Sequence, residues 1–128
     1  MIVVDANVLA HLQLPGIHTP AAEALLKSDP EWAAPALWRS EFRNVLAGYL
    51  RRGTLTLDQA CRIQDETENL MRETEYEVDS ASVLRLLPDS DCSAYDCEYV
   101  ALATKLGVSL VTRDKQVLRA FPGIAVAL

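Results

Sequence analysis

The sequence predicts an α/β fold: a three-layer α/β/α sandwich whose central sheet is mainly parallel and has about five strands. Short β-branched runs alternate along the chain with segments of helical periodicity, which is typical of a parallel sheet covered by helices on both faces. The chain has 128 residues, 50% of them hydrophobic and 23% charged. No linker, repeat or low-complexity tract interrupts it, so we expect one domain over residues 1–128.

The first elements follow from short local signals. Ile2–Val4 is a continuous β-branched run and is predicted to be a buried strand. Asn7 is predicted to cap a short helix, and residues 20–28 form a small amphipathic helix. The next strand, Trp32–Leu37, is weaker because Pro35 lies inside it. The apolar positions expected on the buried side of the 20–28 helix are Ala21, Ala24, Leu25 and Leu26.

The middle of the chain is predicted to be largely helical. A helix over 38–52 carries apolar residues at i, i+3, i+4, i+7 and i+8, and a glycine ends it. Residues 57–73 form a more polar second helix. Tyr76–Val78 is a short strand, and the short helix Ala81–Leu87 ends at a proline.

The last third contains the strongest helix signal. Ser93 can cap a helix from about 94 to 106, which a glycine ends. Ser109–Thr112 is predicted to be a strand, 115–120 a short helix, and Ile124–Ala127 the final strand. Each connection is short, as expected for alternating strands and helices.

Composition limits the classes of function. The net charge of −6 argues against a broad basic surface of the kind that many nucleic-acid-binding proteins use, although a metal bound by an acidic cluster would offset part of it. The cysteines Cys61, Cys92 and Cys97 lack CxxC spacing and suit a reducing cytosol, so a cytoplasmic protein is expected. No signal peptide and no apolar run of roughly 20 residues is apparent, so no membrane partner is expected.

Two aspartates directly follow predicted strands. Asp5 comes after Ile2–Val4, and Asp114 follows Ser109–Thr112 after one further residue. The simpler structural explanation for each is that it caps the next helix, a contribution of about 1 kcal/mol.

Two further acids open predicted helices on or beside an apolar face. Asp96 projects between Val100 and Ala103, where a carboxylate is costly unless it is paired or binds a metal. Glu41 lies one turn before Val45, at the edge of its apolar stripe. The alternative for both is a first-turn acid favoured by the helix dipole.

The topology predicts that these four acids converge. In a doubly wound sheet, the carboxyl ends of strands and the starts of the following helices lie at one edge, where ligands bind. Carboxylates crowded there repel each other, and oxygen ligands without Cys or His suit Mg²⁺ or Mn²⁺. Such a site can activate water and stabilise charge on a phosphodiester, so the residues predict metal-assisted phosphodiester hydrolysis by Asp5, Glu41, Asp96 and Asp114.

Four ordered motifs resemble those of PIN-domain ribonuclease toxins of the VapC type. They are Ile2–Leu9, Trp38–Leu46, Tyr95–Ala103 and Leu110–Asp114, and the resemblance extends from residue 1 to about residue 121. It implies a PIN-like sandwich and a Mg²⁺- or Mn²⁺-dependent endoribonuclease, the toxin of a toxin–antitoxin pair. It carries the acidic quartet onto the same four acids found above.

The resemblance also implies supporting residues and partners. Asn7 matches a polar residue that supports the metal and its waters, Thr112 matches a position near the last acid, and Glu98 is a further candidate acid. A homodimer and a small antitoxin whose tail blocks the acidic groove are implied. Four cations near the predicted edge are candidate contacts to RNA phosphates: Arg39, Arg43, Arg113 and Lys115.

Three alternatives stay open at this point. The chain could be a nuclease of the same fold that processes RNA and is not a toxin. It could be a phosphotransferase of the haloacid-dehalogenase type with Asp5 as nucleophile, although that class has DxD where this chain has Asn7 in the third position. It could also be a non-catalytic module of the same fold that binds nucleic acid or protein, although all four acids are present.

Overall fold

The computed structural model describes residues 1–128 and contains five strands and seven α-helices. The strands are β1 (Ile2–Val4), β2 (Trp32–Pro35), β3 (Glu75–Tyr76), β4 (Leu110–Thr112) and β5 (Ala125–Ala127). The helices are α1 (Ala6–Gln13), α2 (Thr19–Ser28), α3 (Trp38–Arg51), α4 (Leu57–Met71), α5 (Ser80–Leu86), α6 (Ala94–Leu106) and α7 (Lys115–Ala120). A one-turn 3-10 helix, Leu87–Asp89, follows α5.

The strands form one sheet in the order β3-β2-β1-β4-β5, and every neighbouring pair is parallel. Val3 of β1 pairs with Ala33 on one side and with Leu110 on the other. Helices α1–α4 contact one another and α5 contacts α6, as expected if right-handed crossovers place α1–α4 on one face of the sheet and α5–α7 on the other. The α/β/α prediction is therefore confirmed, and the strand order reverses between β1 and β4.

The core lies on both sides of the central strands. Helix α6 packs across β1, β2 and β4, and its residues Val100, Leu102 and Ala103 are completely buried. The buried apolar side chains form one continuous cluster that includes Trp32 and Trp38. None of the helices combines the length and apolar character that crossing a bilayer requires.

Asp5, and not Asn7, caps α1. The Asp5 carboxylate accepts a hydrogen bond from the Val8 amide at 2.9 Å, while Asn7 is exposed within the first turn. The prediction of Asn7 as the cap is wrong because β1 ends at Val4 and α1 begins at Ala6, which leaves a single residue for the cap.

β4 and β5 each begin one residue later than predicted, and the bounds of β2 and β3 differ further. β2 ends at Pro35. The proline lacks an amide hydrogen, but β2 still pairs with β3 because the amides of Ala34 and Ala36 on either side donate to that strand. β3 is Glu75–Tyr76 instead of Tyr76–Val78. Asp79, the cap of α5, follows so closely that no longer strand forms.

Several apolar positions predicted to be buried are exposed. In α2 the fully buried residue is Ala22, whereas Ala21 and Ala24 face solvent, since α2 packs on α1. Two apolar positions of other helices are also exposed: Leu57 at the start of α4 (67%) and Tyr95 in α6 (61%). Helix ends extend past the layers they cover, so periodicity alone overestimates their burial.

Candidate active site

One cleft opens at the carboxyl edge of the sheet, beside the point where the strand order reverses. Its volume is about 450 Å³, and all four acids selected from the sequence line it. The lining residues come from the starts of α1, α3, α6 and α7: Asp5, Ala6, Asn7, Leu37, Ser40, Glu41, Asn44, Val45, Tyr95, Asp96, Tyr99 and Asp114.

Thr112 joins two of these acids through its hydroxyl. This buried side chain donates to Oδ2 of Asp5, and its oxygen accepts the Asp114 amide at 3.0 Å. The contact forms because β1 and β4 are neighbours in the sheet, with Val4 paired to Val111. Burial raises the pKa of Asp5, as does the Asp114 charge, while the hydrogen bonds from Thr112 and Val8 oppose the shift.

Glu41 lies in the first turn of α3 and accepts a hydrogen bond from Tyr99 of α6. The phenol oxygen is 2.6 Å from Oε1 of Glu41. Burial raises the pKa of Glu41, and the negative charges of Asp96, Asp5 and Glu98 raise it further, against the Tyr99 hydrogen bond. Burial, together with the Glu41 charge, raises the pKa of the Tyr99 phenol far above its ordinary value.

Asp96 and Asp114 complete the acidic wall of the cleft. Asp96 is half-buried in the first turn of α6, and its amide donates to Oγ of Ser93 at 3.1 Å. Burial raises the pKa of Asp96, and the Asp114 charge adds to this. Asp114 caps α7, with Oδ1 accepting the amides of Gln116 at 2.8 Å and Val117 at 3.2 Å.

No basic side chain forms an ion pair with these carboxylates. The ion pairs of the chain join the N-terminus to Asp29, and Arg39 to Glu68 and Glu75. Positive potential in the cleft comes instead from the helix N-termini that open there. Three half-buried carboxylates and one exposed carboxylate without a counter-cation suit a hard divalent ion.

The carboxylates do not form a ready-made cage. No group of three or more Asp, Glu, His or Cys side chains is arranged to hold a metal ion together. Protein donors already engage both oxygens of Asp5 and one oxygen of Asp114. The arrangement fits Mg²⁺ better than Ca²⁺ or zinc, because Mg²⁺ keeps several waters and is usually bound through one or two carboxylates.

The supporting candidates fall into different environments. Asn7 lines the cleft, whereas Glu98 is half-buried outside it and affects Glu41 through its charge. Four polar lining residues were missed from the sequence: Ser40, Asn44, Tyr95 and Tyr99. Tyr99 lies three residues after Asp96 on the same helix face, and this spacing was the signal from which it could have been found.

The four candidate RNA contacts are also unlike one another. Arg39 is a correction: its Nε and both terminal nitrogens donate to Glu75 and Glu68 at 2.7 Å, and it does not line the cleft. Arg43 is exposed beside a groove between α3 and α4. Arg113 and Lys115 are exposed on either side of Asp114, at the rim of the cleft.

The comparisons with known proteins agree with this fold. The family model for the PIN domain matches residues 2–123. Ribonuclease VapC3 from Pyrobaculum aerophilum is 32% identical over 127 residues, which cover 96% of each chain.

Two solved structures share the architecture. FitAcB from Neisseria gonorrhoeae superposes with a TM-score of 0.77 at 20% identity, covering 100% of this chain and 97% of the other. A toxin–antitoxin complex from Klebsiella pneumoniae contains a chain with a TM-score of 0.72 at 17% identity, covering 98% and 96% of the respective chains. From the family match and the 32% identical relative, the chain belongs to the PIN domain family.

Proposed function

We propose that this protein is a divalent-metal-dependent endoribonuclease that acts as the toxin of a toxin–antitoxin pair. The observation that carries the catalytic part is the meeting of Asp5, Glu41, Asp96 and Asp114 in one cleft without a cationic partner. The choice of RNA is supported by the relative that covers nearly the whole chain and is named a ribonuclease. The toxin role is supported by that relative and by the Klebsiella pneumoniae toxin–antitoxin complex.

The four acids are proposed to hold Mg²⁺ or Mn²⁺, which supplies water activation and stabilisation of charge on the scissile phosphodiester. Asp5 and Asp114 have fixed positions because each caps a helix. Glu41 and Asp96 face them from the first turns of α3 and α6. Asn7, on the cleft wall, can donate an amide hydrogen to the substrate or to an ordered water.

RNA cleavage by the purified chain tests the proposal. We expect total cellular RNA to be cut at defined sites with Mg²⁺ or Mn²⁺, and EDTA to stop the reaction. Asp96→Asn is expected to lower the rate by roughly 100-fold or more, because metal stabilisation of transition-state charge contributes several kcal/mol.

Asp58→Asn is the matched control for that variant. Asp58 also lies in the first turn of a helix but is exposed and distant in sequence from every cleft residue. It should leave cleavage unchanged. Cleavage that persists both in EDTA and in Asp96→Asn would contradict the proposed mechanism.

The partners are proposed on the same basis. We infer a homodimer and a small antitoxin that covers the acidic cleft. Light scattering of the purified chain should give twice the monomer mass. A small reading frame is expected beside the gene, and co-expression with its product should give a stable complex that does not cleave RNA. A monomer, or a complex with undiminished activity, would contradict these two inferences respectively.

A further inference from the structure

We propose that Tyr99 is a positioning residue for Glu41: its hydroxyl fixes one carboxylate oxygen so that the other is presented to the metal and the substrate. The inference rests on the proposed function, because it assigns a role within the same cleft. It concerns a residue outside the acidic quartet. Two observations support it: the hydrogen bond between Tyr99 and Glu41, and the difference in burial between the two side chains.

The contact is specific to one oxygen. Tyr99 Oη donates to Oε1 of Glu41 at 2.6 Å, across 58 positions of sequence and from α6 to α3. The Glu41 carboxylate accepts no other hydrogen bond within the protein. Its Oε2 is therefore left without a protein donor, in a cleft that Asp5, Asp96 and Asp114 also line.

The two partners differ in mobility. Tyr99 is 3% exposed, and α6 packs across three strands of the sheet, so the surrounding core fixes the phenol. Glu41 is half-exposed at the cleft, and its long side chain has several rotamers. The hydroxyl transfers the rigidity of the core to an otherwise flexible carboxylate, which is the function of groups that orient metal ligands.

A purely structural explanation makes a different prediction. A buried tyrosine needs some partner for its hydroxyl, and on that explanation Glu41 would only satisfy Tyr99. Removal of the hydroxyl would then change stability and leave metal binding unchanged. A positioning role instead requires that metal affinity and turnover fall while RNA binding persists.

The test is binding of Mn²⁺ to the full chain, measured from the electron paramagnetic resonance signal of the free ion. We expect Tyr99→Phe to weaken Mn²⁺ binding by about 10-fold or more, the usual effect of losing an outer-shell partner. The kcat for RNA cleavage should fall by a similar factor, with KM within about twofold of the original value. Tyr49→Phe, on α3 but outside the cleft, is the control and should change neither quantity.

A double-mutant cycle identifies the route of the effect. If Tyr99 acts through Glu41, then Tyr99→Phe should have no further effect on Mn²⁺ binding in a Glu41→Gln background. Equal Mn²⁺ affinity and kcat for Tyr99→Phe and the unmodified chain would overturn this inference and leave the proposed function intact. Absence of Mn²⁺ binding by the unmodified chain would overturn both.

Discussion

Asp5 uses its two carboxylate oxygens in different ways. Oδ1 caps α1 through the Val8 amide, and Oδ2 accepts the hydroxyl of Thr112, which in turn accepts the Asp114 amide. Asp5 can therefore cap α1 and also line the cleft, because the capping hydrogen bond fixes the direction of its carboxylate. Thr112 is the shared contact that sets the spacing between Asp5 and Asp114.

Replacement of Thr112 by valine should reduce catalysis far more than stability. Valine fills a similar volume but can neither donate to Asp5 nor accept from Asp114. We expect RNA cleavage to fall by about 10- to 100-fold, as for other groups that orient metal ligands. The free energy of unfolding should change by about 1.5 kcal/mol or less, the usual net contribution of one hydrogen bond.

Thr67→Val is the matched control for that experiment. Thr67 is also fully buried, but its hydroxyl donates to the Ile63 carbonyl within α4. Urea unfolding and initial cleavage rates of the two variants should therefore separate stability from catalysis. Equal rates for both variants would show that Thr112 has no role in the cleft.

The charge of Asp96 should destabilise the metal-free protein. Burial and neighbouring acids raise the pKa values of Asp5, Glu41 and Asp96 in the folded chain. The folded state therefore binds protons more tightly than the unfolded state. Stability should fall as the pH rises from the unfolded value of about 4 through the raised folded values. Asp96→Asn should be more stable than the unmodified chain by about 1 kcal/mol at neutral pH in EDTA.

Asp79→Asn is a control at a carboxylate whose pKa is shifted in the opposite direction. Hydrogen bonds from Ser82 lower the pKa of this exposed cap, so its carboxylate contributes stability above its unfolded pKa and loses it as the pH falls. That variant should not gain stability at neutral pH. Urea unfolding at pH 5 and pH 7 gives both comparisons, and an Asp96→Asn chain no more stable than the unmodified one would refute the repulsion argument.

At the scale of elements, the four acids could be found from the sequence because all of them lie at the starts of helices. Asp5 and Asp114 are caps, and Glu41 and Asp96 lie in first turns, so each has a short-range signal. Tyr99 is neither a cap nor a first-turn residue, and its only sequence signal was its spacing of three residues from Asp96. Packing across the whole molecule decides which face of α6 meets the sheet and which meets the cleft. The same dependence on packing explains why the burial predicted for α2 was wrong.

Arg39 holds three elements together away from the cleft. It binds Glu75 of β3 with two nitrogens and Glu68 of α4 with the third, and the Trp38 indole also donates to Glu75 at 3.0 Å. The cluster fixes the first turn of α3, two residues before Glu41. A cation that appeared from the sequence to be available for RNA is therefore structural.

Arg39→Met should lower the free energy of unfolding by about 1 kcal/mol, since a partly exposed ion pair contributes little more than this and salt screens it. Arg43→Met, in the same helix without an ion pair, should stay within about 0.5 kcal/mol. Urea unfolding at low and high salt measures both. A loss of RNA affinity in Arg39→Met with unchanged stability would instead support the original interpretation of Arg39 as an RNA contact.

At the scale of the whole molecule, the layers were predictable and the strand order was not. Apolar runs such as Ile2–Val4 indicate buried parallel strands, and this signal is local. The position of β4 beside β1, which brings Asp114 to Asp5, depends on a pairing between residues more than a hundred positions apart. The sequence supported the convergence of the acids only through the general rule for the edges of doubly wound sheets.

The net charge of −6 limits how this protein can bind RNA. With Arg39 occupied, the proposed phosphate contacts are Arg43, Arg113 and Lys115, none of which forms an ion pair. Three contacts to single-stranded RNA predict a slope of roughly −2 for log affinity against log salt. A dimer that joins two such sets in one groove should approach roughly −4.

The salt dependence can be measured with labelled RNA and the Asp96→Asn chain between 50 and 200 mM KCl at a fixed low Mg²⁺ concentration. Arg113→Gln should make the slope shallower by about 0.7, the share of one phosphate contact, whereas Arg39→Gln should leave it unchanged. A much steeper slope that Arg113→Gln does not alter would place the RNA on a surface other than the cleft rim. A slope near −4 in a protein that light scattering shows to be dimeric would support RNA binding by both protomers, because the three proposed contacts of one protomer account for only about half of it.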